Sequence, residues 1–533
     1  MDTKNFILNI IEKDIIKNNL TKINTRFAPD PNGYLHIGHV KSILINYLIA
    51  KKYNGNFNIR IDDTNPINRN DIYINEIINN IKWLGIKYNG IEKYTSNYFN
   101  EIFKFAIILI KKKLAYVDEL PISIYKKYKG NYNNLGIDSP YRNRSVKENI
   151  DYFLKMKNGF YKENHACLRA KINMKSSNII IRDPILYRIK YKKHFKTKYN
   201  WCIYPTYDFS HCICDFLEEI TYSLCTLEFQ NNKILYNWIL DSLDIKNKPK
   251  QYEFSRLNIE YLTLSKRKLN ILVEKNIVTG WDDPRMPTIS GLKNRGYTSK
   301  SIIDFCNSLG ITKKNSLVKI KNLEFFIKND LNFKSIRIMS VINPIKLYII
   351  NLKKNFFIKT PLNPNNLKNG YKLINFCNEL YVEKNDFINK ENFNNLIGKI
   401  FKLRYSYILK IIDIEIKKDI INKIYCIYYK NTINNLYLKN NKVNKIIHWV
   451  SCKYNFISYY IFYDYIFKNI NYLKNKNILD YINNNSIIIK KGFTEKSNYI
   501  YSKNIYYQFE RIGYFNIKNI NNNKIIFNNI INF

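Results

Sequence analysis

The sequence of 533 residues lacks the features of a membrane or secreted protein. No apolar run of about 18 residues is free of charge, so no membrane-spanning helix is predicted. Residues 1–22 mix acidic and basic side chains and contain no apolar signal-peptide core. The nine cysteines are an odd number without framework spacing, which argues against a disulfide scaffold and favours a reducing compartment. We therefore expect a cytoplasmic protein that makes no use of a membrane.

Acidic side chains are also scarce, with 43 Asp and Glu against 86 Lys and Arg, for a net charge of +43. So basic a chain would bind polyanions such as RNA through counterion release. Lys, Asn, Ile and Tyr are abundant everywhere, however, including the apparent core strands, as in a genome biased towards A and T. We therefore assign at most roughly half of the excess charge to function.

The most informative segment is Asp30-Pro31-Asn32-Gly33-Tyr34-Leu35-His36-Ile37-Gly38-His39. A strand-like run at 22–27 precedes it and a helix-compatible stretch, 36–53, follows. A helix N-terminus offers N–H groups and a positive dipole end to a polyphosphate. His36 and His39 share one helical face and can donate to an α-phosphate, while Gly38 lets adenine approach the backbone. Alone, His-x-x-His would more often be a metal half-site or a surface pair.

A second motif, Leu264-Ser265-Lys266-Arg267-Lys268, lies far downstream. Lys266 would supply a mobile ammonium for the phosphates, with Lys268 as a possible helper, whereas such a run alone is usually a solvated basic loop. The first motif is the HIGH signature and the second resembles the KMSKS signature. Together they resemble class I aminoacyl-tRNA synthetases and predict an adenylation site in which His36, His39 and Lys266 are catalytic.

Further motifs make the chain similar to the glutaminyl-tRNA synthetase family from about Thr21 to the C-terminus. They read TRF at 25–27, RIDDTNP at 60–66, YPTYDFSH at 204–211, LCTLEFQ at 224–230 and WDDPRMPT at 281–288. The resemblance implies that Arg26 binds the α-carboxylate of L-glutamine, Asp62 the α-amino group and Tyr207 the side-chain amide. Without the motifs, Asp62 would be read as a structural carboxylate and Tyr207 as a core aromatic.

The same resemblance implies an ATP site, with Mg²⁺ accompanying the nucleotide. Its implied members are Asp30, Pro31, Asn32, His36, Ile37, Gly38, His39, Val40, Lys41, Ser42, Thr226, Arg256, Leu257, Leu264, Ser265 and Lys266. Two of them depart from the family pattern, which usually has Glu at the position of Asp30 and Met at that of Leu264. Both replacements are modest in volume, so we expect activity to survive them.

Cys225 bears on the choice between glutamine and glutamate. Similar glutamyl enzymes have Arg at this position, because a buried carboxylate needs a cation. Cys225 offers no counter-charge, which favours L-glutamine and tRNA(Gln) over the alternative, a glutamyl-tRNA synthetase. The neighbouring cluster at 211–214, His-Cys-Ile-Cys, also resembles the glutaminyl pattern. We expect no zinc there, because Cys-x-Cys with one His lacks a second ligand pair.

The resemblance implies an α/β multidomain protein with a Rossmann-type parallel-sheet catalytic core. The implied parts are the first half of that core (1–94), an inserted acceptor-stem-binding domain (95–200), the second half of the core (201–260), the KMSKS loop with a small helical domain (261–332), and two anticodon-binding β-barrels (333–533). Local patterns predict helices over 70–85 and 300–309, and strands at 346–352, 405–412, 424–429 and 487–491. Within the insert, recurring basic residues indicate phosphate contacts as a set: Arg142, Arg144, Arg169, Lys171, Arg182 and Arg188.

The implied tRNA contacts are Lys313 and Lys314 at the inner bend, and Arg337, Arg404, Gln508 and Arg511 at the anticodon. Two departures, Asn231 and Phe393-Asn394, remove charge that the family usually carries and predict relaxed tRNA discrimination. By family resemblance we expect a monomer. A catalytically inactive tRNA-binding protein is the alternative from another class, disfavoured by the intact motifs. A truncated tRNA-modifying relative is disfavoured by the long C-terminal region.

Overall fold

The structure, a computed structural model, describes residues 5–18, 20–67, 71–387, 396–417, 420–434, 437–438, 441–443, 445–473, 477–499, 501–521 and 524–533. The helices are α1 (Phe6–Asn18), α2 (Ile37–Lys52), α3 (Asp71–Trp83), α4 (Phe99–Lys111), α5 (Ile122–Lys129), α6 (Val146–Lys157), α7 (Tyr207–Leu217), α8 (Lys233–Ser242), α9 (Lys266–Glu274), α10 (Ile289–Arg295), α11 (Ser299–Ser308) and α12 (Ile320–Lys334). Within these ranges, no helix has both the length and the apolar character needed to span a bilayer.

The chain divides into two units, one formed by residues 1–258 with 303–318 and the other by 259–302 with 319–533. The strands of the first part of the chain are β1 (Thr25–Phe27), β2 (Phe57–Ile61), β3 (Lys93–Tyr94), β4 (Ala115–Asp118), β5 (Cys167–Ala170), β6 (Ile185–Ile189), β7 (Ile203–Pro205), β8 (Tyr222–Thr226) and β9 (Lys250–Phe254).

Parallel strands form the layer that carries the candidate site. The order β1-β2-β3 is parallel throughout, and β8 pairs in parallel with β9. The Asn24 carbonyl accepts the N–H groups of Thr221 and Tyr222 at 2.9 and 3.2 Å, which places β8 beside β1. Strands β1 and β2 are buried along their whole length, as expected of parallel strands covered on both faces. The carboxyl ends of β1, β2 and β8 therefore lie near one another, where open α/β sheets bind ligands.

A separate sheet, β4-β5-β6-β7, is antiparallel and lies between the two parts of the parallel layer in sequence. Its core is built from fully buried apolar side chains of the sheet and of α4 and α6, such as Val117, Leu168, Ile102 and Phe153. Strands β4 to β6 of this sheet lie within residues 95–200, the range predicted for the insert, and β7 lies just beyond it.

The remaining strands are β10 (Asn258–Ile259), β11 (Leu317–Val318), β12 (Ile336–Ile338), β13 (Ser340–Val341), β14 (Pro344–Ile349), β15 (Phe356–Pro361), β16 (Tyr371–Phe376), β17 (Glu379–Glu383), β18 (Ile400–Leu403), β19 (Ile408–Lys417), β20 (Ile420–Tyr429), β21 (Tyr437–Leu438), β22 (Asn441–Lys442), β23 (Ile446–Ile447), β24 (Trp449–Ser451), β25 (Asn455–Tyr463), β26 (Ile487–Glu495), β27 (Tyr506–Phe509), β28 (Gly513–Asn521) and β29 (Lys524–Asn532). They confirm the predicted β-rich C-terminal region.

Two seven-stranded sheets in this region are nearly closed barrels. The first barrel has the order β23-β18-β19-β20-β14-β17-β24, and its end strands β23 and β24 are separated in the chain only by His448. The second barrel has the order β12-β27-β28-β29-β25-β26-β13, and only Met339 separates β12 from β13. In each barrel the two end strands of the sheet thus belong to one bent segment of the chain. This arrangement removes the free edges that an open sheet would present. The predicted fold class is confirmed.

Candidate active site

The two histidines of the first motif lie side by side at the start of α2. His36 precedes the first helical residue, and its backbone N–H donates to Nδ1 of His39 at 3.0 Å. Their rings stack with centroids 3.8 Å apart. Because Nδ1 of His39 accepts a hydrogen bond, the neutral ring carries its proton on Nε2. That nitrogen is the one that can donate to a phosphate oxygen.

The turn before α2 is held by its own side chains. Asn32 Nδ2 donates to Asp30 Oδ2 at 2.6 Å, and the intervening Pro31 is buried. Ile37 and Val40, which follow in the helix, have no exposed surface. Only the backbone of these two residues can therefore contribute to the ATP site predicted for the segment.

Lys41 is buried, although it belongs to the same predicted ATP segment. Its Nζ donates to the carbonyl oxygen and to Oγ of Ser255, at 2.9 and 3.2 Å. Burial lowers the pKa of Lys41. Ser255 directly follows β9 and precedes Arg256 and Leu257, so Lys41 ties α2 to the second segment predicted to bind ATP.

Behind these segments, a buried ion network centres on Asp215 of α7. Arg26 donates from Nε and Nη2 to its two carboxylate oxygens at 3.0 and 3.1 Å, and Arg60 donates from Nη2 at 2.7 Å. The hydroxyl of Tyr236 donates to the same carboxylate at 3.0 Å. The side chain of Arg26 is 3% exposed and that of Asp215 is fully buried, so this ion pair is shielded from water. A buried charge needs such partners, and the network therefore fixes the ends of β1 and β2 against α7.

Sequence reasoning missed Asp215, although a signal was present: it lies one helical turn after His211. Nε2 of His211 is 2.5 Å from Nη2 of Arg26, and its Nδ1 is 3.1 Å from Nη2 of Arg60. Burial lowers the pKa of His211 well below its ordinary value, and the two arginines add to that effect while Asp215 opposes it. His211 is therefore a neutral ring whose two nitrogens face Arg26 and Arg60.

The three residues predicted to bind glutamine stand at the carboxyl ends of β1, β2 and β7. Asp62 follows β2, is 9% exposed, and accepts the Thr64 N–H at 3.3 Å. Tyr207 is the first residue of α7, and its ring stacks on His211 with centroids 4.7 Å apart. Burial raises the pKa of Tyr207 far above its ordinary value, so its hydroxyl stays protonated and can both donate and accept. Arg26 at the α-carboxylate stays a prediction, since Asp215 already matches its charge.

Replacing Tyr207 with phenylalanine is expected to raise the KM for glutamine by about 10- to 100-fold, because one polar group of the amide would lose its partner in a buried site. The fold should be unaffected, since only a hydroxyl is removed. Steady-state aminoacylation checks this, with Tyr191→Phe as the control, because Tyr191 is 46% exposed. An unchanged KM in Tyr207→Phe would remove Tyr207 from the binding site.

A small cavity of about 10 Å³ lies beside Tyr207, enough for roughly one water molecule. Its lining consists of Tyr207, Asp208, His211, Cys225, Phe229, Asn232, Tyr236 and Gln251. Burial raises the pKa of Cys225 to about 12, so its thiol is neutral. Among the residues that the structure describes, the lining includes no lysine or arginine. Arg26 and Lys233 act against burial on the pKa of Cys225, but neither of them lines the cavity.

The other predicted ATP residues lie at strand and helix ends. Thr226 ends β8, and exposed Arg256 pairs with Glu228 at 2.8 Å, an ion pair that solvent weakens. In the second unit, Ser265 directly precedes α9 and Lys266 is its first residue, with Leu264 half-buried just before. Lys266 therefore stands at the amino end of a helix, and its catalytic role stays a prediction.

Arg337 and Gln508, predicted to read the anticodon, are neighbours on paired strands of the second barrel. They stand opposite each other in the parallel register of β12 and β27. Nη2 of Arg337 donates to Asn332 Oδ1 at 2.8 Å. Within the described part of the chain, Arg337 Nη1 and Gln508 Oε1 are buried and have no hydrogen-bond partner. A buried donor and a buried acceptor without partners are costly, so a polar ligand that bonded both would be favoured.

The remaining predicted tRNA contacts are on the surface or partly exposed. Lys313 and Lys314 are exposed, and Nζ of Lys313 lies 4.9 Å from the ring centroid of Phe6. Arg404 is 33% exposed and Arg511 50%, and each is paired with a carboxylate. Asn231 is exposed, whereas Phe393 and Asn394 lie outside the described residues.

Two arginines of the predicted basic set in the insert have internal roles. Arg169 is 3% exposed and its Nε donates to Asp118 at 2.5 Å. Arg182 is 1% exposed and donates to backbone carbonyls, including that of Ser176 at 2.7 Å. The prediction of phosphate contacts is wrong for these two arginines, because their buried guanidinium groups form hydrogen bonds within the protein.

Comparison with known proteins decides the family. Residues 22–333 match the family model described as tRNA synthetases class I (E and Q), catalytic domain, and residues 335–429 and 446–518 match two models for the anti-codon binding domain of the same enzymes. The chain belongs to the class I tRNA synthetases of the E and Q group. The family model covers both the histidine motif at 36–39 and the loop before α9.

Similar relatives of this class I synthetase are curated as glutamine–tRNA ligases. The Buchnera aphidicola (Schizaphis graminum) protein is 48% identical over 547 aligned positions, which cover 99% of this chain and 96% of the relative. The Proteus mirabilis protein is 46% identical, covering 99% and 96%. The Serratia proteamaculans protein is 46% identical, covering 96% and 93%. The similarity therefore extends through the catalytic region and both barrels.

Proposed function

We propose that this class I tRNA synthetase acts as a glutamine–tRNA ligase. It activates L-glutamine with ATP to give glutaminyl-adenylate and pyrophosphate, and then transfers the glutaminyl group to the 3′-terminal adenosine of tRNA(Gln), releasing AMP. The family membership implies ATP use. The names of the full-length relatives support the choice of amino acid and of tRNA.

The observation that carries the choice of glutamine is the cavity beside Tyr207, whose lining includes Asp208 but, among the described residues, no lysine or arginine. Its described lining has no cation, and the buried thiol of Cys225 is uncharged. A glutamate carboxylate placed there would lose its hydration without gaining a counter-charge, whereas an amide would lose little. Built in this way, the site favours glutamine over glutamate by a factor on the order of a thousand or more.

In the activation step, the α-carboxylate of glutamine attacks the α-phosphate of ATP, and the pyrophosphate leaves with the bonding electrons. Nε2–H of His39, with His36 beside it, donates to the oxygens on which charge develops. Lys266 supplies a positive charge to the phosphates. Mg²⁺ accompanies ATP as part of the substrate. The residues act by electrostatic stabilisation and positioning, so no side-chain nucleophile takes part.

The amino acid is held by complementary charges. Asp62, a buried carboxylate, binds the α-ammonium group, and burial raises its pKa in the free enzyme. An ammonium partner would reverse that shift and keep the carboxylate ionised. Arg26 contributes to the α-carboxylate while remaining anchored by Asp215. Asp30, Asn32, Thr226, Arg256 and Leu257 surround the nucleotide in this proposal, together with Leu264 and Ser265.

The tRNA is bound along both units. Residues 95–200 receive the acceptor stem, Lys313 and Lys314 contact the inner bend, and the barrels of 333–533 read the anticodon. Residues 1–94 and 201–260 form the two halves of the catalytic core, and 261–332 the KMSKS loop with its helical domain. The protein works as a monomer in the cytoplasm.

Replacing Arg337 with alanine is expected to lower kcat/KM for tRNA(Gln) by about 10- to 100-fold, the cost of losing a specific base contact. The buried donor Arg337 Nη1 and acceptor Gln508 Oε1 would meet one acceptor and one donor on a base edge. Aminoacylation at varied tRNA concentration measures the effect, with Lys359→Ala on β15 as a control. Equal losses in both variants would argue against base recognition by Arg337.

The proposal is tested by aminoacylation of tRNA(Gln) and tRNA(Glu) with labelled glutamine and glutamate. We expect glutaminyl-tRNA(Gln) as the main product. Glutamyl-tRNA as the main product would identify a glutamyl enzyme, and no product with any pair would support a tRNA-binding protein without catalysis.

A further inference from the structure

Two of the arginines assigned to the anticodon, Arg404 and Arg511, are held by carboxylates of the opposite barrel. Arg404 follows β18 of the first barrel, and its Nε and Nη2 donate to Glu510 in the β27–β28 turn of the second barrel, at 2.8 and 3.0 Å. Arg511, the next residue of that turn, donates from Nη1 and Nη2 to Asp386 of the first barrel, at 3.0 and 2.7 Å. The two barrels are therefore joined by a crossed pair of bidentate ion pairs.

Both carboxylates are more deeply placed than their arginines. Asp386 is 3% exposed and Glu510 14%, against 50% and 33% for Arg511 and Arg404. Tyr405 donates its hydroxyl to Glu510 Oε1 at 3.0 Å, and Nζ of Lys445 lies 3.3 Å from Asp386. Burial alone would raise the pKa of Glu510, but His448 and Arg404 lower it to about 2. The carboxylates form the fixed side of each pair, and the arginines form the side that reaches solvent.

The bidentate geometry leaves donors for a further ligand. Glu510 takes Nε and one hydrogen of Nη2 from Arg404, and Asp386 takes one hydrogen from each Nη of Arg511. Among the described residues, no acceptor bonds Arg404 Nη1 or Arg511 Nε. Each guanidinium plane is thus fixed, while Arg404 Nη1 and Arg511 Nε keep donor hydrogens for a further ligand.

The backbone beside the pairs is also strained. Tyr405, which follows Arg404, has a φ of 57°, and Arg511 has a φ of 70°. Side chains other than glycine rarely adopt this left-handed region, and such strain persists where the surrounding structure holds it. Because both turns keep this strained backbone, the contacts that hold Arg404 and Arg511 in place outweigh its local cost in stability.

We propose that Glu510 and Asp386 are positioning residues for anticodon recognition, each fixing the guanidinium plane of an arginine from the other barrel. The inference rests on the proposed function, because it assigns Arg404 and Arg511 to the RNA. It adds that recognition depends on the two carboxylates that hold these arginines. Pre-organised donors lose less side-chain entropy on binding and present one geometry to the anticodon loop.

The test uses Glu510→Gln and Asp386→Asn in the full chain, which keep the volume of the side chain and remove its charge. We expect the KM for tRNA(Gln) to rise about tenfold while kcat at saturating tRNA stays within about twofold, as for a coupled pair. Discrimination against a tRNA with a substituted anticodon should fall by about the same factor. Glu415→Gln is the matched control, since Glu415 forms an exposed pair with Lys417 on β19 of the first barrel.

A merely structural ion pair would give a different result. KM and anticodon discrimination equal to those of Glu415→Gln would overturn the inference, as would equal losses for the cognate and the substituted tRNA. If Asp386→Asn unfolds, Glu510→Gln alone decides between these outcomes. Binding of an RNA hairpin with the glutamine anticodon loop measures anticodon recognition separately from aminoacylation. An enzyme that makes no glutaminyl-tRNA refutes the proposed function, whereas unchanged hairpin affinity in Glu510→Gln refutes the role of Glu510.

Discussion

Cys225→Arg is expected to reverse the amino-acid preference, lowering kcat/KM for glutamine by about a hundredfold or more and raising the value for glutamate. The substitution places a cation in a cavity that now has none in its described lining, beside the hydroxyl of Tyr207. A buried carboxylate would gain its missing counter-charge, while a neutral amide would face an unpaired guanidinium. Competition between labelled glutamine and glutamate in aminoacylation measures the change directly.

Cys225→Ser is the matched control, because serine is small, neutral and similar in shape to cysteine. It should keep the preference for glutamine. If Cys225→Arg and Cys225→Ser prefer the same amino acid, residue 225 does not determine specificity, and the basis for assigning glutamine would shift to the relatives alone.

Asp215→Ala is expected to destabilise the first unit by about 3–5 kcal/mol, the usual cost of breaking a buried ion pair from one side. Arg26 and Arg60, which are 3% and 1% exposed, would be left without their shared carboxylate. Glutamine binding should fail as well, since Arg26 and His211 would lose their positions. Thermal unfolding by scanning calorimetry, with glutamine activation measured below the transition, tests both effects.

The pH dependence of this network follows from the charge of Asp215. Burial would raise the pKa of Asp215, but the guanidinium groups of Arg26 and Arg60 lower it below the ordinary value. A lowered pKa means that the stabilisation is present at neutral pH and is lost only as the pH falls into the acid range where Asp215 protonates.

Asp241→Ala is the control for Asp215→Ala, because its exposed pair with Lys248 should contribute less than about 1 kcal/mol. Equal stability losses in the two variants would contradict the network.

Features set by neighbouring residues could be predicted from the sequence. The strand ending at Phe27, the helix starting at Ile37 and the closeness of His36 to His39 follow from local periodicity and spacing, whereas the stacking of the two rings was not predicted. Short β-branched runs separated by Asn-rich turns likewise predicted the C-terminal strands. Closure of the barrels was expected only from the family resemblance, because it depends on single residues, Met339 and His448, at which one segment changes partners.

The buried network could not be predicted, because its members are distant in sequence. Arg26 and Asp215 are 189 positions apart and meet only when β1 packs against α7. Lys41 shows a second limit of sequence patterns. The first motif assigns its segment to ATP, whereas its own Nζ donates a hydrogen bond to the carbonyl oxygen of Ser255. A motif locates a site, but the direction of each side chain depends on packing that the pattern does not encode.

The central claim, that this synthetase activates glutamine, is tested most directly by ATP–pyrophosphate exchange with glutamine or glutamate, each with and without its tRNA. We expect exchange with glutamine that requires tRNA(Gln), and little with glutamate under any condition. Exchange driven mainly by glutamate would contradict the inference that Cys225 favours glutamine. No exchange with either amino acid would contradict the assignment of catalysis to His36, His39 and Lys266.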